Sequence, residues 1–133
     1  MIVIDASSLA KYVLRKKNWE EVRAYLLNEV YSLTLALSEV SNAIWKHHVI
    51  YNKILCEDAK TMLRALRRLK DVIIFEQFEN YLEEALDISI RGRITVYDSL
   101  YIAQAERVGC LLTSDDKQRN VAKEVGIDAT FVE

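Results

Sequence analysis

The 133-residue chain contains no proline, no tract of biased composition and no internal repeat, so nothing in it marks a linker or a boundary between units. Long apolar runs are missing too. Leu33 to Leu37 and Val72 to Phe75 fall far short of the roughly 20 residues that span a bilayer, and no charged segment leads into an apolar one as in a secretory signal. A cytoplasmic protein without membrane contact is expected. Cysteine is scarce: Cys56 and Cys110 stand far apart, outside any C-x-x-C or His-rich setting, which argues against a zinc site and a disulfide framework. Neither charge is in excess, the formal net charge being −2. No general attraction to a polyanion follows, and binding one would need a local basic patch or metal ions. Apolar residues make up 51% of the chain, enough for one continuous core, and a single domain over residues 1–133 is the expectation at this length.

What the chain does have is alternation. Ile2-Val3-Ile4 is a β-branched run ending at Asp5, and Leu9, Val13 and Leu14 follow at helical spacing, which predicts a strand feeding a helix. Asn18 can cap a second helix, with Glu20 and Glu21 in its first turn and Val22, Tyr25 and Leu26 on its apolar side. A strand over Ser32–Leu35 leads to a helix expected to start at Ser38 and run to about Ile50. There Val40, Ala43, Ile44 and His47 face the core, and Glu39, Asn42 and Lys46 form a polar stripe. A helix from about Cys56 to Leu69 should bury Ala59, Met62, Leu63, Leu66 and Leu69 and turn Arg64, Arg67 and Arg68 to water. Strand Val72–Phe75 precedes a helix over Phe78–Ile90, with Leu82, Ala85, Leu86 and Ile90 inward and Gly92 as its stop. Helix Tyr97–Val108, strand Cys110–Thr113, helix Asp116–Val125 and a short strand Asp128–Val132 complete the chain. This order predicts an α/β sandwich around a parallel sheet.

In such a sheet, ligands collect beyond the carboxyl ends of the strands, where strand order reverses. Asp5 ends the first strand and Asp115 follows Thr113 by two residues; Glu39 and Asp98 are expected in the first turns of helices that begin on the same rim. Each acid alone has a plainer account: a turn residue for Asp5, a dipole partner for Glu39, a helix cap for Asp98, and an N-cap for Asp115 or Asp116. Four such coincidences on one rim are a weaker account. Asp98 carries the most weight, as the only acid between Ile94 and Ala105, since a carboxylate is rarely buried without a partner. Oxygen donors without Cys or His nearby suit Mg²⁺ or Mn²⁺ better than zinc. His47 and His48 are not a metal pair, because adjacent helical residues point about 100° apart.

These residues resemble the PIN-domain nucleases, in particular the VapC-type ribonuclease toxins of type II toxin–antitoxin systems, over essentially the whole chain. The resemblance is carried by Ile4-Asp5-Ala6-Ser7-Ser8-Leu9-Ala10-Lys11, Ser38-Glu39-Val40-Ser41-Asn42-Ala43, Tyr97-Asp98-Ser99-Leu100-Tyr101-Ile102-Ala103 and Leu112-Thr113-Ser114-Asp115. Their order and spacing are more specific than any one fragment. It implies a PIN-like three-layer α/β/α sandwich and metal-dependent hydrolysis of RNA, with Asp5, Glu39, Asp98 and Asp115 as catalytic residues and ligands of Mg²⁺ or Mn²⁺. Ser7 and Thr113 become supporting hydroxyls, Asn42 the polar neighbour of the glutamate, and Asp116 a residue that could share or replace the role of Asp115. Lys16-Lys17-Asn18-Trp19 departs from the pattern, which tends to have proline or an acid there.

The resemblance also implies a single-stranded or structured RNA as substrate, a cognate antitoxin that blocks the acidic site, and a homodimer. The segments Asn18–Val30 and Ile50–Leu69 carry apolar residues suited to such surfaces. Lys11, Arg15, Lys16, Lys46, Arg91 and Arg93 are the cations nearest the rim by position, although a solvated surface charge is the plainer reading of each. A receiver-like signalling domain would need an aspartate ending its third strand, where Phe75 stands, and a HAD-type phosphatase would need D-x-D-x-T after Ile4. A catalytically silent PIN fold that binds RNA or protein is the serious rival, disfavoured by the presence of all four acids.

Overall fold

The β-branched run that opens the chain becomes the centre of a sheet. In the computed structural model, which describes residues 1–133, β1 (Ile2–Ile4) is buried along its whole length, as befits a strand with helices on both faces. β2 (Val30–Leu33) and β4 (Cys110–Thr113) flank it, β3 (Ile73–Glu76) lies outside β2 and β5 (Asp128–Phe131) outside β4, all parallel. The order β3-β2-β1-β4-β5 reverses direction between β1 and β4.

Right-handed crossovers then sort the helices into layers. α1 (Ala6–Val13), α2 (Trp19–Tyr25), α3 (Thr34–Trp45) and α4 (Cys56–Arg68) carry the chain from β1 through β2 to β3 and pack together. α5 (Leu82–Gly92), α6 (Val96–Val108) and α7 (Asp116–Glu124) return it to β4 and β5, with α6 against α5, α7 and the sheet. The result is the expected three-layer α/β/α arrangement around one cluster of 32 buried apolar residues. Gln104 of α6 pins that helix to the far strands: its Nε2 donates to the Ser32 carbonyl (2.8 Å) and to Glu76 Oε1 (3.0 Å), which also accepts from the Tyr81 hydroxyl at 2.6 Å.

Several boundaries and faces differ from expectation. α3 starts at Thr34, directly after Leu33, instead of at Ser38, and β2 ends at Leu33 instead of Leu35. A short apolar run reads equally as a strand or as a buried helical turn; here Ala36, Val40 and Ile44 are buried at helical spacing. α3 continues as a wider π-helical turn over Lys46–Ile50, where His47 Nδ1 and His48 Nδ1 each meet a carbonyl, of Ala43 and Ile54, at 2.9 Å. β3 is shifted one residue toward the C-terminus. Asn18 precedes α2 in the left-handed region (φ 68°) and makes no side-chain cap bond; its amide donates to the main-chain oxygen of Glu133 at 2.9 Å.

On α4 only Leu66 is fully buried, followed by Leu69 just past its end, while Leu63 is exposed and Ala59 and Met62 are half-buried. On α5 the inward residues are Ala85 and Ile88, and Leu82, Leu86 and Ile90 face out. α5 packs on α6 instead of the sheet, so a narrow stripe of it is covered. Its approach is a 3₁₀ turn, Phe78–Tyr81. Gly92 does not supply the left-handed stop, which is Arg93 (φ 53°). Its role is close approach: a Cβ there would lie 2.6 Å from Val121 Cγ1 of α7.

Candidate active site

Asp5 sits at the point where strand order reverses. Its backbone N–H continues the β1–β4 ladder by donating to Leu112 O (3.1 Å), and its carboxylate is 1% exposed. The turn into α1 supplies donors: Ser8 N–H reaches Oδ1 at 2.9 Å, and the Ser7 hydroxyl lies 2.8 and 2.7 Å from the two oxygens. From β4, the Thr113 hydroxyl donates to Oδ2 at 2.5 Å. Burial nevertheless raises the Asp5 pKa to about 6, with the charge of Asp115 adding to it. The two hydroxyls are in turn fixed by backbone donors, Ser114 N–H to Ser7 and Asp115 N–H to Thr113, both at 3.0 Å. The β1–α1 and β4–α7 turns are thus one hydrogen-bonded unit.

Because α3 starts early, Glu39 lies in its second turn and not its first. There it reaches across to α6, where the Tyr101 hydroxyl donates to its Oε1 at 2.6 Å. Burial raises the Glu39 pKa, the Tyr101 bond opposes that, and Asp98 adds to it. Asp98 is the third residue of α6 and is not its cap. Thr95 is, accepting from Asp98 N–H at 3.2 Å. Burial and then Asp115 raise the Asp98 pKa. Asp115 caps α7 by accepting from Gln118 N–H at 2.8 Å, whereas the exposed Asp116 is paired with Arg119 at 2.6 Å.

The structure therefore brings Asp5, Glu39, Asp98 and Asp115 into one electrostatic neighbourhood, with Ser7 and Thr113 touching Asp5. It sets two of the expected supporting residues at the margin: Asp116 on its own ion pair, and Asn42 exposed one turn beyond Glu39 with no hydrogen bond to it. The acids are spaced more openly than a tight cluster, and no three Asp, Glu, His or Cys side chains form a ready-made ligand cage. The donor set still fits Mg²⁺ or Mn²⁺: it is all oxygen, and Mg²⁺ is commonly held by one or two carboxylates plus waters and substrate phosphate. A cleft of about 340 Å³ runs from Ser7, Glu39 and Ser114 to Lys11 and Lys16.

Two residues at the site were not singled out from sequence. Tyr101 lies one turn beyond Asp98 on the same helix face. Gln118 bonds through Nε2 to Asp98 O (2.8 Å) and lies 3.1 Å from the Thr113 hydroxyl through Oε1. Asp115-x-x-Gln118 has the spacing of a capping box, a signal that would have marked Gln118, although its side chain serves Asp98 and Thr113.

A parallel α/β/α sandwich with acids gathered at its strand-order reversal defines a class, and the chain belongs to it: it is a member of the PIN-domain family, whose pattern matches residues 2–124. Within that family it is of the VapC type, being 33% identical over 120 residues to Ribonuclease VapC3 of Pyrobaculum aerophilum, across 88% of this chain and 90% of that protein. Solved structures with a similar fold include VapC20 of Mycobacterium tuberculosis, a sarcin-ricin loop cleaving toxin (TM-score 0.69, 16% identity, 96% of each chain covered). FitAcB of Neisseria gonorrhoeae is another (TM-score 0.64, 17% identity, 99% of this chain and 97% of that one).

Proposed function

We propose that the protein is a metal-dependent endoribonuclease, the toxin of a toxin–antitoxin pair, with Asp5, Glu39, Asp98 and Asp115 as its catalytic and ion-holding residues. The observation that carries this reading is Asp5. A helix cap needs only an acceptor, which Ser or Asn provides without charge, yet here a carboxylate is buried against the cost of burial and within reach of the charge of Asp115. Asp5 and Asp98 would hold the principal Mg²⁺ or Mn²⁺, and Glu39 and Asp115 would complete its shell or hold a second ion. Such an ion supplies positive charge to the phosphate and its leaving oxygen and lowers the pKa of water bound to it.

The chain's own residues prepare for that. Ser7 and Thr113 fix the orientation of Asp5, Tyr101 fixes Glu39, and Gln118 ties the start of α7 to the first turn of α6. Neither cysteine is placed as a nucleophile, since Cys56 is exposed on α4 and Cys110 begins β4, at the end of the strand away from the acids. Asn42, the polar neighbour one turn beyond Glu39, is exposed, and Asp116 is paired with Arg119.

A cognate antitoxin and a second copy of the chain are the proposed partners, and bare apolar surface exists for both. Leu82, Leu86 and Ile90 line the outer face of α5, and Ile44, Trp45, Ala59 and Leu63 line a groove between α3 and α4. A cytoplasmic location is proposed; no helix is long and apolar enough to cross a membrane. Cleavage of a single-stranded or structured RNA by the purified protein in Mg²⁺ or Mn²⁺, and its loss in EDTA, tests the central claim. Binding of RNA without cleavage in either metal would favour a silent PIN fold, and cleavage unchanged in EDTA would remove the metal from the mechanism.

A further inference from the structure

Lys11 and Lys16 line a cleft beside the carboxylates, and neither forms an ion pair with an acidic side chain. Lys11 lies in the last turn of α1, and the chain turns back through Arg15, in the left-handed region (φ 54°), so that Lys16 N–H donates to Lys11 O at 3.0 Å. The Arg15 guanidinium is taken up by aromatic faces, 4.0 Å over Trp19 and 4.9 Å over Tyr12. The turn thereby gives Lys16, and not Arg15, to the cleft whose other wall is Ser7, Glu39 and Ser114. Lys11 Nζ is already engaged, donating to the Lys17 carbonyl (3.2 Å) and to the main-chain oxygen of Glu133 (3.0 Å). Lys16 has no such partner, and both of the protein's ion pairs lie elsewhere. Partial desolvation, then the charges of Lys11 and Lys53, lower the Lys16 pKa. Gathering like charges is unfavourable by itself and becomes favourable when an anion lies among them.

We infer that this cleft is a subsite for the RNA phosphate next to the scissile one, with Lys16 as the cation that meets it and Lys11 as a fixed charge behind. The inference rests on the ribonuclease reading for its substrate. A chain lying in the cleft must continue over Glu39 and Ser7 into the carboxylates, which suits a phosphodiester strand whose next unit is the reacting one. Without a cation at this point, the neighbouring phosphate would face the acidic rim uncompensated. A phosphate contact sets the register of the strand and reads no base, so Lys16 should govern affinity and cleavage position and leave sequence preference alone.

The test is binding and cleavage of a labelled single-stranded oligouridine by the full chain, with binding read by fluorescence anisotropy in Ca²⁺ over a range of salt. Lys16→Ala is expected to weaken binding about three- to tenfold at low salt and to flatten the slope of log K against log salt by about 0.7, the value for one lost phosphate contact on a single strand. Lys16→Arg should keep most of both, and Lys123→Ala, at the opposite end of the sheet, should change neither. In oligouridines carrying one neutral methylphosphonate at each position in turn, wild type should lose cleavage at one position beside the scissile bond, and Lys16→Ala should lose its sensitivity there. Wild-type affinity and salt slope in Lys16→Ala, an unchanged methylphosphonate pattern, or no RNA binding by wild type would overturn the subsite. Displacement of the RNA by oligoglutamate at equal charge would overturn it in favour of an acidic protein segment. Salt-dependent RNA binding that Lys16→Ala weakens, with no cleavage by wild type in Mg²⁺ or Mn²⁺, would sink the ribonuclease reading and leave the phosphate site standing.

Discussion

Tyr101 holds its proton at any pH the protein meets, because burial and then Glu39 push its pKa well above the ordinary tyrosine value, and it gives that proton to Glu39. Tyr101→Phe removes the one interaction that opposes burial at Glu39. The Glu39 pKa should then rise further, moving the acid limb of the pH–rate profile to higher pH. A hydrogen bond to a charged group contributes roughly 1.5–3 kcal/mol, so kcat/KM should fall by about tenfold or more at the wild-type optimum. A Tyr101 that serves packing alone would lower the melting temperature and leave the profile in place. At the fourth acid, Asp115→Asn should reduce turnover more than Asp116→Asn, since only Asp115 acts on Asp5 and Asp98 while Asp116 is occupied by Arg119. Turnover measured for both variants in the same metal decides it; the opposite ranking gives the role to Asp116.

Helices set the positions of these side chains, and two of their joints can be tested. Gly92 ends α5 against Val121 of α7, and Val121 is 5% exposed with little room to move. Gly92→Ala should cost about 1–3 kcal/mol through overpacking, and combining it with Val121→Ala should cost less than the two variants' sum in a denaturant cycle. Thr95→Ala should cost about 1 kcal/mol as a lost cap of α6. Element order was legible in the sequence because periodicity switches cleanly between strands and helices; Asp5 and Asp115 were legible because they stand at element ends, and Asp98 because it is the only acid between Ile94 and Ala105. The early start of α3 was not, since Leu33–Leu37 has no periodicity that separates strand from buried helix. Nor was the outward face of α5, because that depends on packing against α6. The Tyr101–Glu39 bond joins residues 62 apart in sequence, and no local pattern announces such a pair.

Over the whole molecule, the acids make stability depend on pH and metal together. A raised carboxylate pKa means that the folded protein holds the proton more tightly than the unfolded chain. The stability that this gives is complete below the unfolded value and is lost as pH rises through the folded one. For Asp5 the window runs from the ordinary 3.8 to about 6, a loss on the order of 3 kcal/mol, and Glu39 and Asp98 act in the same direction. Asp98 is also in the first turn of α6, where the helix dipole favours a negative charge by about 0.3–1 kcal/mol; burial and the charge of Asp115 act against that benefit. In EDTA at neutral pH, Asp98→Asn should therefore melt at or above the wild-type temperature, and the difference should shrink toward pH 4 as the wild-type carboxylate protonates. Excess Mg²⁺ should narrow or reverse the neutral-pH difference, because an ion that binds only folded wild type stabilises it by mass action. Melting curves of both proteins at neutral and acid pH, in EDTA and in Mg²⁺, separate the cases. If Asp98→Asn is clearly less stable in EDTA and Mg²⁺ shifts neither protein, Asp98 serves the first turn of α6 alone, and the carboxylate cluster loses its central member as an ion site.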